Sequence, residues 1–264
     1  MRAVAEPILK LTDVTVQFGA LKAVDTVSMS LNAGERRAVI GPNGAGKTTL
    51  FNAITGTIPP TSGRVVFDGV DMSRMSPQGR AHLGVARTFQ ITNLFGRMSV
   101  IENMRLAVRG LSPTKFSFFG TDDLTAAQAD DVRRALVSSR LDGREHVVVK
   151  EMSYGEQRQL EVAMALVGTP RLLLLDEPAA GLSPAERTFL ADIIRALPRE
   201  LTVVLIEHDM DLALGLVDYV TVMQNGVVIV ESDPAGIRTN PLVQEVYLGK
   251  PHVVVAAGEG NAHA

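Results

Sequence analysis

Two stretches near the start of the chain alternate apolar and polar residues with period two. In the first, Val14, Val16 and Phe18 alternate with Thr15 and Gln17; in the second, Val27, Met29 and Leu31 alternate with Ser28 and Ser30. That period predicts two antiparallel strands joined through Gly19-Ala20-Leu21. Beyond the turn Asn32-Ala33-Gly34-Glu35, alternation gives way to near-continuous apolar runs: Ala38-Val39-Ile40, the four leucines within Arg171 to Asp176, and Leu201 to Ile206 with a single Thr. Such runs mark strands buried on both faces, as in a parallel sheet. Helical stretches fall between them. One follows Lys47 and ends near Gly56, and Pro59 to Gly63 then turns into a short strand, Arg64 to Phe67. Others span Pro77 to Leu83 and Leu124 to Leu141, and Val85 to Gln90 reads as a short strand. Ser99-Val100-Ile101-Glu102 is a capping box that opens a helix through Leu106. Ser153 opens an apolar-periodic helix with Leu160, Val162, Ala163, Leu166 and Val167, and Pro184 to Leu197 starts on a proline suited to a first helical turn. Asn225-Gly226 centres a hairpin from Val220 to Val230. The pattern is that of an α/β protein, with a mostly parallel core sheet flanked by helices and a small antiparallel β-lobe at the N-terminal side.

Gly41-Pro42-Asn43-Gly44-Ala45-Gly46-Lys47-Thr48-Thr49 lies between the run ending at Ile40 and the helix starting near Lys47. It fits G-x-x-x-x-G-K-[ST] in the context that motif needs, strand before and helix after. Gly44 and Gly46 permit a turn whose backbone N–H groups point inward at the positive end of a helix dipole, which suits a polyphosphate. Lys47 is expected to reach the β- and γ-phosphates, and the Thr48 hydroxyl to ligate Mg²⁺.

Composition narrows the picture. The chain has 264 residues, 46% hydrophobic and 21% charged, enough for one large α/β domain or two lobes sharing a core. Its net charge of −3 gives no overall attraction to nucleic acid. There are no cysteines, so disulfides and Cys-ligated zinc are excluded. Met1 to Pro7 reaches a proline without an apolar core, so no leader is expected, and no run approaches the roughly 18 apolar residues of a membrane span. Any membrane role is expected to go through a partner. Residues 116–119 hold three of the nine phenylalanines, read as aromatics tucked onto the core, with an exposed docking patch as the alternative. The tail from 250 to 264 is expected to be disordered.

Three polar sets sit at the ends of separate buried strands: the Gly41 loop, Asp176-Glu177, and His208. In a parallel sheet they converge on one crevice. Asp176 then suits a second Mg²⁺ anchor, and Glu177 a group that polarises water. A solvated strand end is the alternative for an isolated Asp-Glu pair, and a satisfied surface or core imidazole is the alternative for His208. Gln90 alone is only a polar strand end.

Met152-Ser153-Tyr154-Gly155-Glu156, in order after the phosphate loop and Gln90 and before Asp176-Glu177-Pro178, Ala180-Gly181-Leu182-Ser183 and His208, resembles the ATP-binding cassette family. The resemblance covers residues 7–249 and implies a P-loop ATPase domain with a helical subdomain inserted at about 91–165. It implies that Phe18 stacks on adenine, that Gly41 to Thr49 hold the phosphates, and that Thr48, Gln90 and Asp176 meet Mg²⁺. It gives Glu177 the role of general base, with Gln90 at the attacking water and His208 at the γ-phosphate. Ser153, Gly155 and Glu156 would close on the nucleotide of a second subunit, so a single copy should bind ATP and hydrolyse it poorly. Met152, Tyr154 and Glu156 depart from the commoner Leu, Gly and Gln, and Ser183 stands where many members carry Asp.

Within the family, Ala86-Arg87-Thr88-Phe89-Gln90, Ile206-Glu207-His208-Asp209-Met210 and Tyr247-Leu248-Gly249 are similar to ATPase subunits of branched-chain amino acid importers. Relatives that handle urea, other amides or lipids carry similar strings. The resemblance implies a homo- or heterodimer of ATPase subunits on the cytoplasmic face of the membrane. It would be held there by two permease subunits and served indirectly by a solute-binding protein. A soluble cassette protein acting on nucleic acid or ribosomes is the rival; it predicts tandem cassettes or a basic face, and neither is visible.

Overall fold

The computed structural model describes residues 6–88, 94–111 and 124–248. Gln90, the aromatic segment 116–119 and the tail from 250 lie outside the described residues.

Leu9–Phe18 (β1) and Leu21–Leu31 (β2) pair antiparallel around Gly19 and Ala20, as their alternation predicts. Arg36–Ile40 (β3) feeds the glycine loop, and Lys47–Thr55 (α1) follows it, ending on Gly56. Ser62–Phe67 (β4) and Val70–Asp71 (β5) complete a four-stranded antiparallel sheet of order β2-β1-β4-β5. Pro77–His82 (α2) leads to Val85–Arg87 (β6). Val100–Leu111 (α3), Ala126–Ser138 (α4) and Tyr154–Leu166 (α5) come next, capped by Ser99, Thr125 and Ser153. The fourth helix is shorter than the stretch Leu124 to Leu141 predicts: a Thr125–Gln128 capping box sets its start, and the chain leaves the helix after Ser138, with Arg140 in the left-handed region at φ 54. Then come Leu172–Asp176 (β7), Pro184–Ala196 (α6), Thr202–Ile206 (β8) and Met210–Leu214 (α7). Tyr219–Gln224 (β9) and Val227–Ser232 (β10) make the hairpin, and Pro234–Thr239 (α8) and Pro241–Leu248 (α9) close the described chain.

The second sheet has the order β10-β9-β3-β8-β7-β6, parallel from β9 to β6 with β10 antiparallel at its edge. Its central strands are buried on both faces, and the two faces have different tenants. Leu172, Leu174, Val204 and Ile206 pack with Leu50, Phe51 and Ile54 of α1 and with the antiparallel sheet. Leu173, Leu175, Val203 and Leu205 pack with Leu190, Ala191 and Ile194 of α6. Successive side chains of one strand thus serve opposite cores, which is why those strands read as continuous apolar runs. Helices α3, α4 and α5 enclose a separate core around Met104, Leu136 and Leu160.

The end of α1 is held by a buried cation. Arg80 is 1% exposed; its Nη1 donates to the Ala53 and Ile54 carbonyls at 2.5 and 2.7 Å, and Nε and Nη2 donate to Met75 and Ser73 carbonyls. A positive charge on the last carbonyls of a helix opposes the negative end of its dipole. Arg80→Met should cost about 2 kcal/mol of stability, read as a lower urea midpoint with unchanged slope; an unaltered midpoint would remove this role.

Candidate active site

Backbone register brings the polar strand ends together. Val39 of β3 is opposite Ile206 of β8, and Ile206 is opposite Asp176 of β7. The residues that follow these positions, the Gly41 loop, His208 and Glu177, therefore leave the sheet side by side at one edge, with strands about 4.8 Å apart.

The loop is tightly built. Gly46 has φ +99, and a Cβ there would collide with the Ala23 carbonyl of β2; a Cβ at Gly41 would collide with the Met223 carbonyl of β9. The Ala45 carbonyl accepts the Gly226 N–H at 3.0 Å, so the β9-β10 turn braces the loop from beneath. No side chain caps the start of α1, and its first N–H groups stay available to an anion. The Lys47 ammonium is buried and donates to the Gly41 and Pro42 carbonyls at 2.7 and 3.0 Å. Burial pushes its pKa below the ordinary lysine value, while the charges of Glu177 and Asp176 push the other way. Thr48 is exposed beside it, and Phe18, half exposed, ends β1 at the tip of the hairpin whose second strand carries Ala23.

Asp176 is buried, with one carboxylate oxygen on Arg87 Nη2 at 2.6 Å and its backbone N–H on the Thr88 hydroxyl at 3.4 Å. Arg87 also donates to Asn52 Oδ1 of α1 at 2.6 Å. The other oxygen of Asp176, Oδ1, is buried with no hydrogen-bond partner. A carboxylate with one oxygen clamped by Arg87 and the other unspent, at the strand end beside the loop whose Lys47 feels its charge, is an oxygen donor that fits a hard cation such as Mg²⁺, and the exposed Thr48 hydroxyl next to Lys47 is a second. Glu177 follows in the left-handed region at φ 49, with its N–H on the Ile206 carbonyl at 2.9 Å. Its Oε1 lies 2.6 Å from Nε2 of the half-exposed His208. The two adjacent acids thus have different surroundings, one fixed by an arginine and one beside an imidazole.

Ser153 and Gly155 sit at the start of α5, where the Ser153 hydroxyl accepts the Glu156 N–H at 3.2 Å and Glu156 accepts the Ser153 N–H at 2.8 Å. Glu156 also pairs with Arg144 at 2.8 Å, and Tyr154 accepts from Arg158 at 2.7 Å. Ser183 caps α6 through the same kind of box with Glu186. Among the described residues, no hydrogen bond or ion pair links Ser153, Gly155 or Glu156 to the Gly41 loop of the same chain. Sequence reasoning assigned no role to Arg87, Asn52 or Glu207. Arg87 in an otherwise apolar short strand was the visible signal for the first; nothing marked the other two.

Residues 24–180 match the family model described as ABC transporter. The chain is 39% identical over 253 residues to the high-affinity branched-chain amino acid transport ATP-binding protein LivG of Escherichia coli K12, covering 93% of this chain and 99% of that one. It is 37% identical, with the same coverage, to BraF of Pseudomonas aeruginosa, described in the same words. Among solved structures it is similar to the ADP conformation of MJ1267, an ATP-binding cassette of an ABC transporter, with a TM-score of 0.81, 30% identity, and coverage of 93% of this chain and 100% of that one.

Proposed function

Because this chain belongs to the ABC transporter family, we propose that it is the ATP-hydrolysing, energy-coupling subunit of an importer for branched-chain or closely related amino acids. The observation that carries the reading is the register of β3, β8 and β7, which supports a common triphosphate site for Lys47, Glu177 and His208. The kinship to LivG and BraF supports the solute class. Residues 7–249 form the ATPase unit on this reading, with the helical part at about 91–165.

ATP lies with its phosphates over Gly41 to Thr49 and its base against Phe18. Thr48, Asp176 and Gln90 would hold Mg²⁺, which would supply neutralisation of the charge developing on the phosphates. Glu177 takes a proton from the attacking water, and His208, at 2.6 Å from Glu177, meets the γ-phosphate. Ser153 and Gly155, with the free N–H groups of the α5 start, close on the γ-phosphate held by a second copy. No described helix is long and apolar enough to cross a membrane, so attachment goes through permease subunits. A mostly apolar cleft of about 420 Å³, lined by Ala81, Val85, Leu94, Ala107, Leu111 and Met164, supports their docking against this face.

Lys47→Ala should weaken ATP binding about 10- to 100-fold, the loss of a charge-assisted contact, measured by titration with a fluorescent nucleotide; unchanged affinity would place the phosphates elsewhere. The function itself is tested by reconstituting the chain in proteoliposomes with the permease subunits and solute-binding protein of a branched-chain amino acid importer from the same organism. ATP-dependent leucine uptake is expected, and uptake of urea, amides or lipid in its place would overturn the solute class.

A further inference from the structure

Glu207 is 5% exposed, and both of its oxygens are spent on backbone. Oε1 accepts the Ala179 N–H at 2.9 Å, and Oε2 accepts the His208 N–H at 3.2 Å. Ala179 is two residues past Glu177, so one carboxylate grips the exit turn of β7 and the exit of β8 together. The β7-β8 ladder has its last pair at Asp176 and Ile206, and Glu207 carries the connection one step further into the loops. The grip falls where the backbone needs it: Glu177 is a non-glycine residue at φ 49, a conformation that persists only when its surroundings impose it.

Resting on the ATPase reading above, we propose that Glu207 is a positioning residue that fixes Glu177 and His208 relative to each other for hydrolysis. The residue type supports this. Burial pushes the Glu207 carboxyl above its usual range, the N–H groups of Ala179 and His208 pull it back by favouring the carboxylate, and the neighbouring Glu177 and Asp209 carboxylates add to the rise. A site needing only to satisfy one buried N–H would be served more cheaply by a neutral acceptor. Two N–H groups from two separate loops require two acceptor atoms on one side chain; a glutamine amide supplies one, because its other terminal atom is itself a donor.

The test uses the full-length chain carrying Glu207→Leu, Glu207→Gln or Glu177→Gln, with kcat, ATP KM and Tm measured for each. Glu207→Leu should lower kcat about 10- to 100-fold, the scale of a small misplacement of catalytic groups, with KM changed less than about twofold. Glu207→Gln, which keeps one grip, should fall between it and the parent in kcat while its Tm stays within a few degrees of the parent's, since removing a desolvated charge offsets the loss of one N–H acceptor. Combined with His208→Ala, Glu207→Leu should add little further loss, because both act through one unit. A parent-like kcat in Glu207→Leu, or a loss carried by KM, or kcat and Tm falling in step in both variants, would overturn the proposal. If Glu177→Gln still turns over, the assignment of Glu177 fails; if it is dead while Glu207→Leu is active, only the role of Glu207 fails.

Discussion

Replacing Glu177 by Gln is expected to lower ATP hydrolysis by about 10²- to 10⁴-fold, the contribution of a well-placed general base, while ATP affinity stays within about twofold. The amide preserves the shape of the side chain beside His208 but cannot take a proton. Lys47 and the glycine loop, which would carry the ground-state binding, are untouched. ATP held but not consumed favours the closed form, and closure shifts only as far as the differential affinity of the two forms allows. The variant should therefore accumulate as a dimer in the presence of Mg·ATP. Phosphate release and size-exclusion chromatography with nucleotide read the two halves separately. Undiminished phosphate release would remove Glu177 from the proposed mechanism.

The second large effect concerns stability. Arg87→Met should destabilise the fold by about 3–5 kcal/mol, the cost of stripping a buried ion of its partner, because Asp176 sits fully buried against Arg87 at 2.6 Å. For a chain of this size that corresponds to a fall in Tm of about 10 °C. Adding Asp176→Asn, which neutralises the stranded carboxylate, should recover at least half of the loss, a coupling that only contacting residues show. Scanning calorimetry of the four proteins in the cycle gives the answer. Additive losses would mean that Arg87 acts through Asn52 or its other neighbours, with no share for Asp176.

Much of the fold was legible from the chain because its elements are locally self-consistent. The apolar runs Ala38-Val39-Ile40 in β3, Leu172 to Leu175 in β7 and Val203 to Ile206 in β8 announced burial on both faces, and Asn225-Gly226 announced the hairpin. Ser99, Ser153 and Pro184 marked helix starts that the capping bonds reproduce. Helices α7, α8 and α9 escaped, since five to eight residues display little of a 3.6-residue period, although α2, with six, was read from the chain. Their caps, Asp209 and Asp233 before Pro234, were readable only after the fact. In the site, the motif residues stood out because phosphate chemistry restricts both type and spacing. Arg87, Asn52 and Glu207 did not, since their roles depend on which strand lies beside which: Arg87 reaches Asp176 because β6 flanks β7, and Glu207 reaches Ala179 because β8 flanks β7. Adjacency between strands so far apart along the chain leaves no local trace.

That adjacency has a consequence for biosynthesis. The strand that feeds the glycine loop is made early, yet its two neighbours in the sheet are β8 and β9, and their paired residues Ile206 and Thr221 leave the ribosome long afterwards. Until then Val39 has an open edge on both sides, and the brace from Gly226 does not exist. A nascent chain interrupted before the second of these strands therefore contains every residue of the glycine motif without the sheet neighbours and the brace that shape it, so the proposed nucleotide site is completed in one late step instead of growing with the polypeptide.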